Sequence, residues 1–175
     1  FRGGKGRHVS AGARLPAAII ERYLRLKPRA LYQVWHDTVL GHLVAGASGY
    51  NAHYANGLTA VFLATGQDVA NVANSAVGVT NFELEADGSL FVSVTLPALT
   101  VATVGGGTAL GTSQECLQML DCCGSGRALK LAEIVTATVL AGEISMAAAL
   151  GSGEFARAHD EYGRNRPDDA GATSG

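Results

Sequence analysis

Hydrophobic and polar positions recur along this chain with periods that predict several helices and a small sheet. Residues 8–15 alternate apolar and other side chains, which is a weak strand pattern. From Pro16 the spacing becomes helical through residues 17–26, because proline is tolerated at the first position of a helix. The same period predicts further helices from Pro28 to Val44 and from Ala52 to Thr65.

The strongest strand signal lies in residues 77–103. Apolar residues alternate from Leu90 to Val94 and follow an Ala-Asp-Gly turn at 86–88, a combination that predicts a β-hairpin. We expect the second strand of this hairpin to end at Pro97, because proline has no amide hydrogen to donate to a neighbouring strand.

The second half of the chain is predicted to be mainly helical. One helix is expected to begin near Thr112, with Thr112 or Ser113 as its N-cap residue. Residues 128–150 form one long apolar helix pattern, and a short polar helix follows. The tail, residues 165–175, has almost no apolar side chains to bury, so we expect it to be disordered. These elements predict one α+β domain over residues 1–164, with long helices around a buried central one.

Composition and charge exclude several classes of function. With 175 residues, 47% of them hydrophobic and 16% charged, the chain can bury one sizeable core. A net charge of -2 gives no overall field that would attract nucleic acid. Residues 128–150 approach the length of a membrane span, but they contain Glu133 and Glu143, which favours a buried core helix.

The cysteines and the first residues indicate the compartment. Cys116, Cys122 and Cys123 are odd in number and two are adjacent, which matches neither a disulfide framework nor the paired knuckles of a zinc site. We interpret them as buried small hydrophobes and expect no metal site. The start, FRGGKGRH, lacks a signal peptide and a Met, as if cut from a longer chain. A cytoplasmic protein is therefore expected.

A polar segment at residues 49–68, GYNAHYANGLTAVFLATGQD, is the first candidate for chemistry. His53 and Asn56 are three residues apart, so a helix would place them on one face, towards a polar ligand. Asp68 lies just past the Gly66 stop, where neighbouring groups can shift the pKa of a carboxyl. The alternative is that Asp68 caps the following VANVAN stretch and that His53 and Asn56 make ordinary helix contacts.

Two further segments and a charge cluster stand out. VATVGGGT at 101–108 permits close backbone approach by a ligand, although a flexible turn is the alternative. SGEFARAHDEYGR at 152–164 carries His159, whose ordinary pKa suits proton donation near neutral pH, although an inert surface histidine is the alternative. Residues 1–29 hold eight of the 13 Lys and Arg residues, which suits either a polyanion or a solvated helix face.

In order and spacing, GYNAHYAN, GQD, TVGGGT and AGEISMAAAL before a histidine segment resemble the class I hydroxymethylglutaryl-CoA reductase family. The resemblance covers nearly all of residues 1–164. It implies reduction of hydroxymethylglutaryl-CoA to mevalonate and CoA with NADPH, NADH not being excluded. It also implies a homodimer or a tetramer built from dimers, with no nucleic-acid partner and no membrane segment in this chain.

The resemblance implies a role for each matching residue. Asp68 corresponds to the catalytic aspartate of a network with a lysine and a glutamate, and His159 to the histidine that protonates the departing CoA thiolate. The implied substrate-binding residues are Asn56, His53, Arg25, Met146, Ala149 and Leu150. The implied cofactor-binding residues are Val104, Gly105, Gly106, Gly107 and Arg164.

This sequence departs from the family pattern at several places. The family's catalytic lysine and glutamate and its DAMGMN-type cofactor segment would lie upstream of these residues, so the chain alone is expected to be inactive. Ala102, Phe155 and Asp160 replace the usual residues, and no Lys or Arg stands near His36 and Asp37, where the family places a lysine for the substrate carboxylate. These departures leave open an alternative, a non-catalytic CoA-binding or assembly domain that retains the fold.

Overall fold

The computed structural model describes residues 5–162 and has an α+β fold, which confirms the predicted class. Its three strands form an antiparallel sheet in the order β1-β3-β2, and they are β1 (Arg7–Leu15), β2 (Val79–Leu84) and β3 (Leu90–Leu99). β1 shows the alternating burial that its weak pattern predicted. The expected disordered tail and the proposed cofactor residue Arg164 lie outside the described residues.

Seven helices are present in the described part of the chain. They are α1 (Ala17–Ile19, continued by a π-helical turn, Ile20–Leu24), α2 (Pro28–Val44), α3 (Tyr54–Ala64), α4 (Val72–Ser75, after a 3-10 turn, Val69–Asn71), α5 (Gly111–Met119, after a 3-10 turn, Gly106–Ala109), α6 (Ala128–Gly151) and α7 (Glu154–Tyr162). The predicted helices at α2, α3, α6 and α7 are confirmed. The predicted N-cap of α5 is wrong. Leu110, which follows the preceding turn in an extended conformation, is the N-cap residue instead.

The long helix α6 lies at the centre of the domain. It packs against β1 and β3 of the sheet and against α2 and α3. Leu131, Val135 and Val139 are among its buried residues. By length and composition it could cross a membrane, with a mean hydropathy of 1.6, but its contacts with the sheet and two helices identify it as the predicted core helix.

The prediction that the second hairpin strand ends at Pro97 is wrong. β3 continues to Leu99, and its register with β1 shifts there, since Arg7 pairs with Leu99 but Val9 pairs with Leu96. Two residues of β3 therefore face one of β1, which is a β-bulge. The pairs of β3 with β2 run only from Leu90 to Thr95, so Pro97 interrupts no hydrogen bond on that side.

The interpretation of the cysteines as buried hydrophobes holds for only one of them. Cys122 is fully buried, and this burial raises the pKa of its thiol. Cys116, within α5, is half-buried, and Cys123 is exposed in the turn between α5 and α6.

Truncating one buried side chain of α6 tests its central position. We expect Leu131→Ala to lower the free energy of unfolding by about 3 kcal/mol, because Leu131 is fully buried and the change leaves a cavity. Leu129→Ala is the matched control, since Leu129 lies two residues away on the same helix and is 66% exposed. Urea unfolding followed by circular dichroism measures both, and equal losses would contradict the packing described.

A polar cluster ties β1 to the β2–β3 turn. Arg14 donates from Nε to Glu85 at 2.6 Å, and its Nη2 donates to Asp87 and to the Ser89 hydroxyl. Hydrogen bonds from the hydroxyl and the backbone amide of Ser89, helped by Arg14, lower the pKa of Asp87 to about 2. A carboxyl with a lowered pKa stabilises the fold at pH values above its unfolded pKa, and this contribution is lost as pH falls through about 2.

This cluster predicts part of the acid sensitivity of the domain. Between pH 5 and pH 2 the wild-type chain should lose stability more steeply than Asp87→Asn, which has no charge to neutralise. Ser89→Ala should fall between them, because it removes the hydroxyl that lowers the Asp87 pKa most. The measurement is urea unfolding at several acidic pH values, and parallel curves for wild type and Asp87→Asn would contradict it.

Candidate active site

The GQD motif and the glycine run meet at one open cleft. Gly66 ends α3 with φ +65°, a conformation that favours glycine. A Cβ atom at Gly66 would lie 2.3 Å from the carbonyl oxygen of Gly107, so the two backbones are in direct contact. The cleft beside this contact is lined by Phe62, Leu63, Gly66, Gln67, Asp68, Ala102, Val104, Gly105, Gly106, Gly107, Thr108, Leu110 and Ser113.

Gln67 joins the two sides of the cleft, a role that the prediction from the sequence missed. Its side-chain amide donates to the carbonyl of Ala102 at 2.9 Å, and its side-chain oxygen accepts from the amide of Ala102 at 2.7 Å. Ala102 stands 35 residues further along the chain, so no local pattern connects the two. The position of Gln67 between a helix-ending glycine and Asp68 was the only available signal.

Asp68 is exposed and lines the cleft. One carboxylate oxygen accepts from the amide of Ala70 at 3.0 Å, and the other accepts from the Asn71 side chain at 3.3 Å. Asp68 is therefore the N-cap residue of the 3-10 turn, as the alternative interpretation had it. Each oxygen still has lone pairs for another donor, so capping and a role in the cleft are compatible.

The glycine loop forms the opposite wall of the cleft. Gly105 and Gly106 have φ of +86° and +56°, and a Cβ atom on either would meet nothing within 4 Å. The hydroxyl of Thr108 donates to the carbonyl of Gly105 at 2.7 Å, and that of Thr103 donates to the carbonyl of Gly124 at 2.6 Å. The loop is thus held at both ends while its glycines leave open space for a ligand.

His53 and Asn56 do not share one face, which corrects the prediction from their spacing. His53 precedes α3 as its N-cap residue, with φ −125° and ψ −12°, outside the helical region. Its ring lies against Gly57 and Gly142, and its Nδ1 is buried. Asn56 lies in the first turn of α3 and is exposed.

Arg25 lies beside a second cleft, near the start of α7. It adopts the left-handed conformation with φ 57°, and its guanidinium is 3.8 Å from the carboxylate of Glu154. This cleft is lined by Tyr23, Leu24, Arg25, Ser145, Ala148, Ala149, Ser152 and Glu154. Ala149 thus lies near Arg25, whereas Leu150 lines a small apolar cavity beside Trp35, and Met146 is half-buried on the same helix.

His159 lies on α7, whose residues are all exposed. Its Nδ1 donates to the carbonyl of Phe155 at 2.9 Å, and the two rings are 4.2 Å apart. Because a carbonyl can only accept, this bond places a proton on Nδ1. Nε2 is then the nitrogen that can exchange a proton with a ligand. His159 is not among the residues that line the Asp68 cleft. Within one chain the structure therefore joins Asp68 to residues 104–107 but not to His159.

Comparison with known proteins gives a consistent match. The family model described as hydroxymethylglutaryl-coenzyme A reductase matches residues 2–164. The chain is 45% identical to the 3-hydroxy-3-methylglutaryl-coenzyme A reductases of Methanocaldococcus jannaschii and Methanothermobacter thermautotrophicus, over 92% of its length and 40% and 41% of theirs. The corresponding sea-urchin protein, from Strongylocentrotus purpuratus, is 39% identical over 93% of this chain and 18% of its own length.

Removing the Gln67 side chain tests how the cleft is held. We expect Gln67→Ala to speed amide hydrogen exchange across residues 102–107 by about tenfold, because the loop loses two hydrogen bonds to Ala102. Gln118→Ala, at an exposed position of α5, is the control. Exchange followed by mass spectrometry measures both, and unchanged protection of the loop in Gln67→Ala would contradict this account.

Proposed function

This chain belongs to the hydroxymethylglutaryl-coenzyme A reductase family, and we propose that its complete protein reduces hydroxymethylglutaryl-CoA to mevalonate and CoA with NADPH. The chain spans about 40% of the length of the curated archaeal relatives it matches. We assign residues 1–164 to the carboxy-terminal part of the catalytic large domain. The observation that carries the proposal is the shared cleft of Asp68 and the glycine loop.

The proposed reaction defines what Asp68 does. The thioester is reduced to a hemithioacetal, CoA thiol leaves, and the resulting aldehyde is reduced to the alcohol. A negative charge develops on oxygen in each reduction, so a cation or proton donor must stand beside it. Asp68 keeps a lysine of the complete protein charged at that place, and its free lone pairs in the cleft suit this contact.

His159 is the proposed acid for the departing thiol. The thiolate of CoA leaves more readily when a proton reaches the sulfur as the bond breaks. With Nδ1 bonded to Phe155, Nε2 is the ring nitrogen left to donate to the sulfur. The exposure of α7 supports a meeting with Asp68 across two subunits of a homodimer or a tetramer built from dimers.

The glycine loop fits a nicotinamide cofactor. Val104 is 62% exposed, and Gly105 and Gly106 leave the space above them open, so a flat ring can lie against this backbone. The cofactor, when bound, supplies hydride. Residues Val104, Gly105, Gly106 and Gly107 would orient it towards the substrate at Asp68, and NADPH is proposed over NADH from the family resemblance.

The remaining contacts are proposed for the substrate. Arg25 binds a phosphate of CoA, which its exposed guanidinium permits, and His53 lies along the CoA chain. Asn56 meets the hydroxymethylglutaryl group, and Met146 with Ala149 and Leu150 forms an apolar wall over it. A reducing, cytoplasmic location suits the free cysteines.

The assigned roles predict two different losses of activity in the complete reductase chain. His159→Gln should lower hydroxymethylglutaryl-CoA turnover by about 100-fold or more but leave the reduction of mevaldehyde nearly unchanged, because the aldehyde has no thiolate to protonate. Asp68→Asn should lower both reactions, since each has a developing oxyanion, while Asn can keep the cap on Ala70. The rates are measured from the loss of NADPH absorbance as the cofactor is oxidised.

Asp160→Asn, next to His159 on the exposed face of α7, is the matched control and should keep both rates. Equal loss of both reactions in His159→Gln would contradict thiol protonation. A complete wild-type chain that binds CoA but oxidises no NADPH would favour the non-catalytic alternative instead.

A further inference from the structure

Glu143 is a buried carboxylate that the proposed chemistry leaves without a purpose. It lies near the middle of α6 and is 5% exposed. One oxygen accepts from the amides of Ala52, at 2.9 Å, and of His53, and the other accepts from the Thr80 hydroxyl at 2.7 Å. Burial of a carboxylate is unfavourable unless its oxygens are bonded, so these three donors account for its stability in the core.

The two amides bonded by Glu143 belong to Ala52 and His53, which lead into the N-terminus of α3. They precede Tyr54, the first residue of the helix, and donors at this end have no acceptor within the helix. A carboxylate there also interacts favourably with the positive end of the helix dipole. Thr80, on β2, bonds the same carboxylate, so Glu143 fixes the start of α3 relative to both α6 and the sheet.

The neighbouring residue, Gly142, makes room for the His53 ring. A Cβ atom at Gly142 would lie 2.0 Å from Cδ2 of His53, and one at Gly57 would lie 2.9 Å from Nε2. The ring therefore occupies space that any larger residue at Gly142 would fill. Its Nδ1 is buried and has no hydrogen-bond partner within the part of the chain that the structure describes.

We propose that Gly142 and Glu143 are positioning residues for CoA binding, a role that rests on the proposed function. Glu143 holds the backbone of residues 52 and 53, and Gly142 admits the imidazole of His53 against α6. Together they set the place of His53 and of the first turn of α3, which carries Asn56. Neither residue is assigned a contact with the substrate.

The test compares Glu143→Gln, Gly142→Ala and Val139→Ala in the complete reductase chain. Val139 is the control, because it is buried on the same helix and its truncation weakens packing while leaving the hydrogen bonds of Glu143 to residues 52 and 53 in place. Glu143→Gln should speed amide exchange at residues 52 and 53 by about tenfold and weaken CoA binding about tenfold, because the charge that strengthens both amide bonds is removed. Calorimetric titration with CoA and exchange mass spectrometry measure these effects.

Gly142→Ala separates positioning from stability. Alanine favours a helix more than glycine does, so the substitution does not weaken the helical propensity of α6, and its effect comes through the displaced His53 ring. We expect the imidazole signals of His53 in nuclear magnetic resonance spectra to shift and CoA affinity to fall, while Val139→Ala changes neither. Asn56→Ala serves as a reference for the loss of a side chain on α3 that leaves the His53 signals in place.

Two results would overturn the proposal. One is unchanged exchange at residues 52 and 53 in Glu143→Gln, and the other is a CoA affinity that falls no further in Glu143→Gln or Gly142→Ala than in Val139→Ala. A wild-type protein that binds no CoA would instead refute the proposed function. In that case the exchange and resonance measurements still decide whether Gly142 and Glu143 position His53.

Discussion

The burial of α6 between the sheet and two helices is the constraint on which the rest of this domain depends. A helix with so many apolar residues must be covered, and β1, β3, α2 and α3 provide the cover. α3 packs against α6 closely enough for Gly142 to contact the His53 ring. From that fixed start α3 runs to Gly66, and the position of Asp68 follows from where this helix ends.

Close backbone contact, which glycine permits, then forms the cleft. Gly66 and Gly107 approach so nearly that a side chain at either position would clash with the other's backbone. Gln67 reinforces the contact by pairing both ways with the backbone of Ala102. The two motifs that stood 37 residues apart in the chain are therefore held together by backbone contact and one amide side chain, which leaves Asp68 and the remaining glycines free.

The sequence predicted the elements better than it predicted their contacts. The spacing of hydrophobic residues and the Gly, Pro and Asp residues of the turns predicted α2, α3, α6 and the hairpin, because these signals are local. It failed at Pro97, where a bulge in the pairing with β1 lets the strand continue, and at His53, which stands before α3 rather than within it. Both errors concern partners from distant parts of the chain, and a local pattern carries no information about them.

The residues assigned to the candidate site from the sequence stay predictions, and the structure brings only some of them together. Asp68 and the glycine loop share a cleft, whereas His159 lies on α7 and does not line it. Among residues 5–162, the donors to Asp68 are an amide and an asparagine, and Lys5 reaches only that asparagine. An oxyanion in this cleft would therefore lie beside a carboxylate, which can only accept hydrogen bonds, and the described residues provide no cation to stabilise it. The proposed reaction needs that cation from outside the described residues, and the free lone pairs of Asp68 leave its carboxylate able to accept from one.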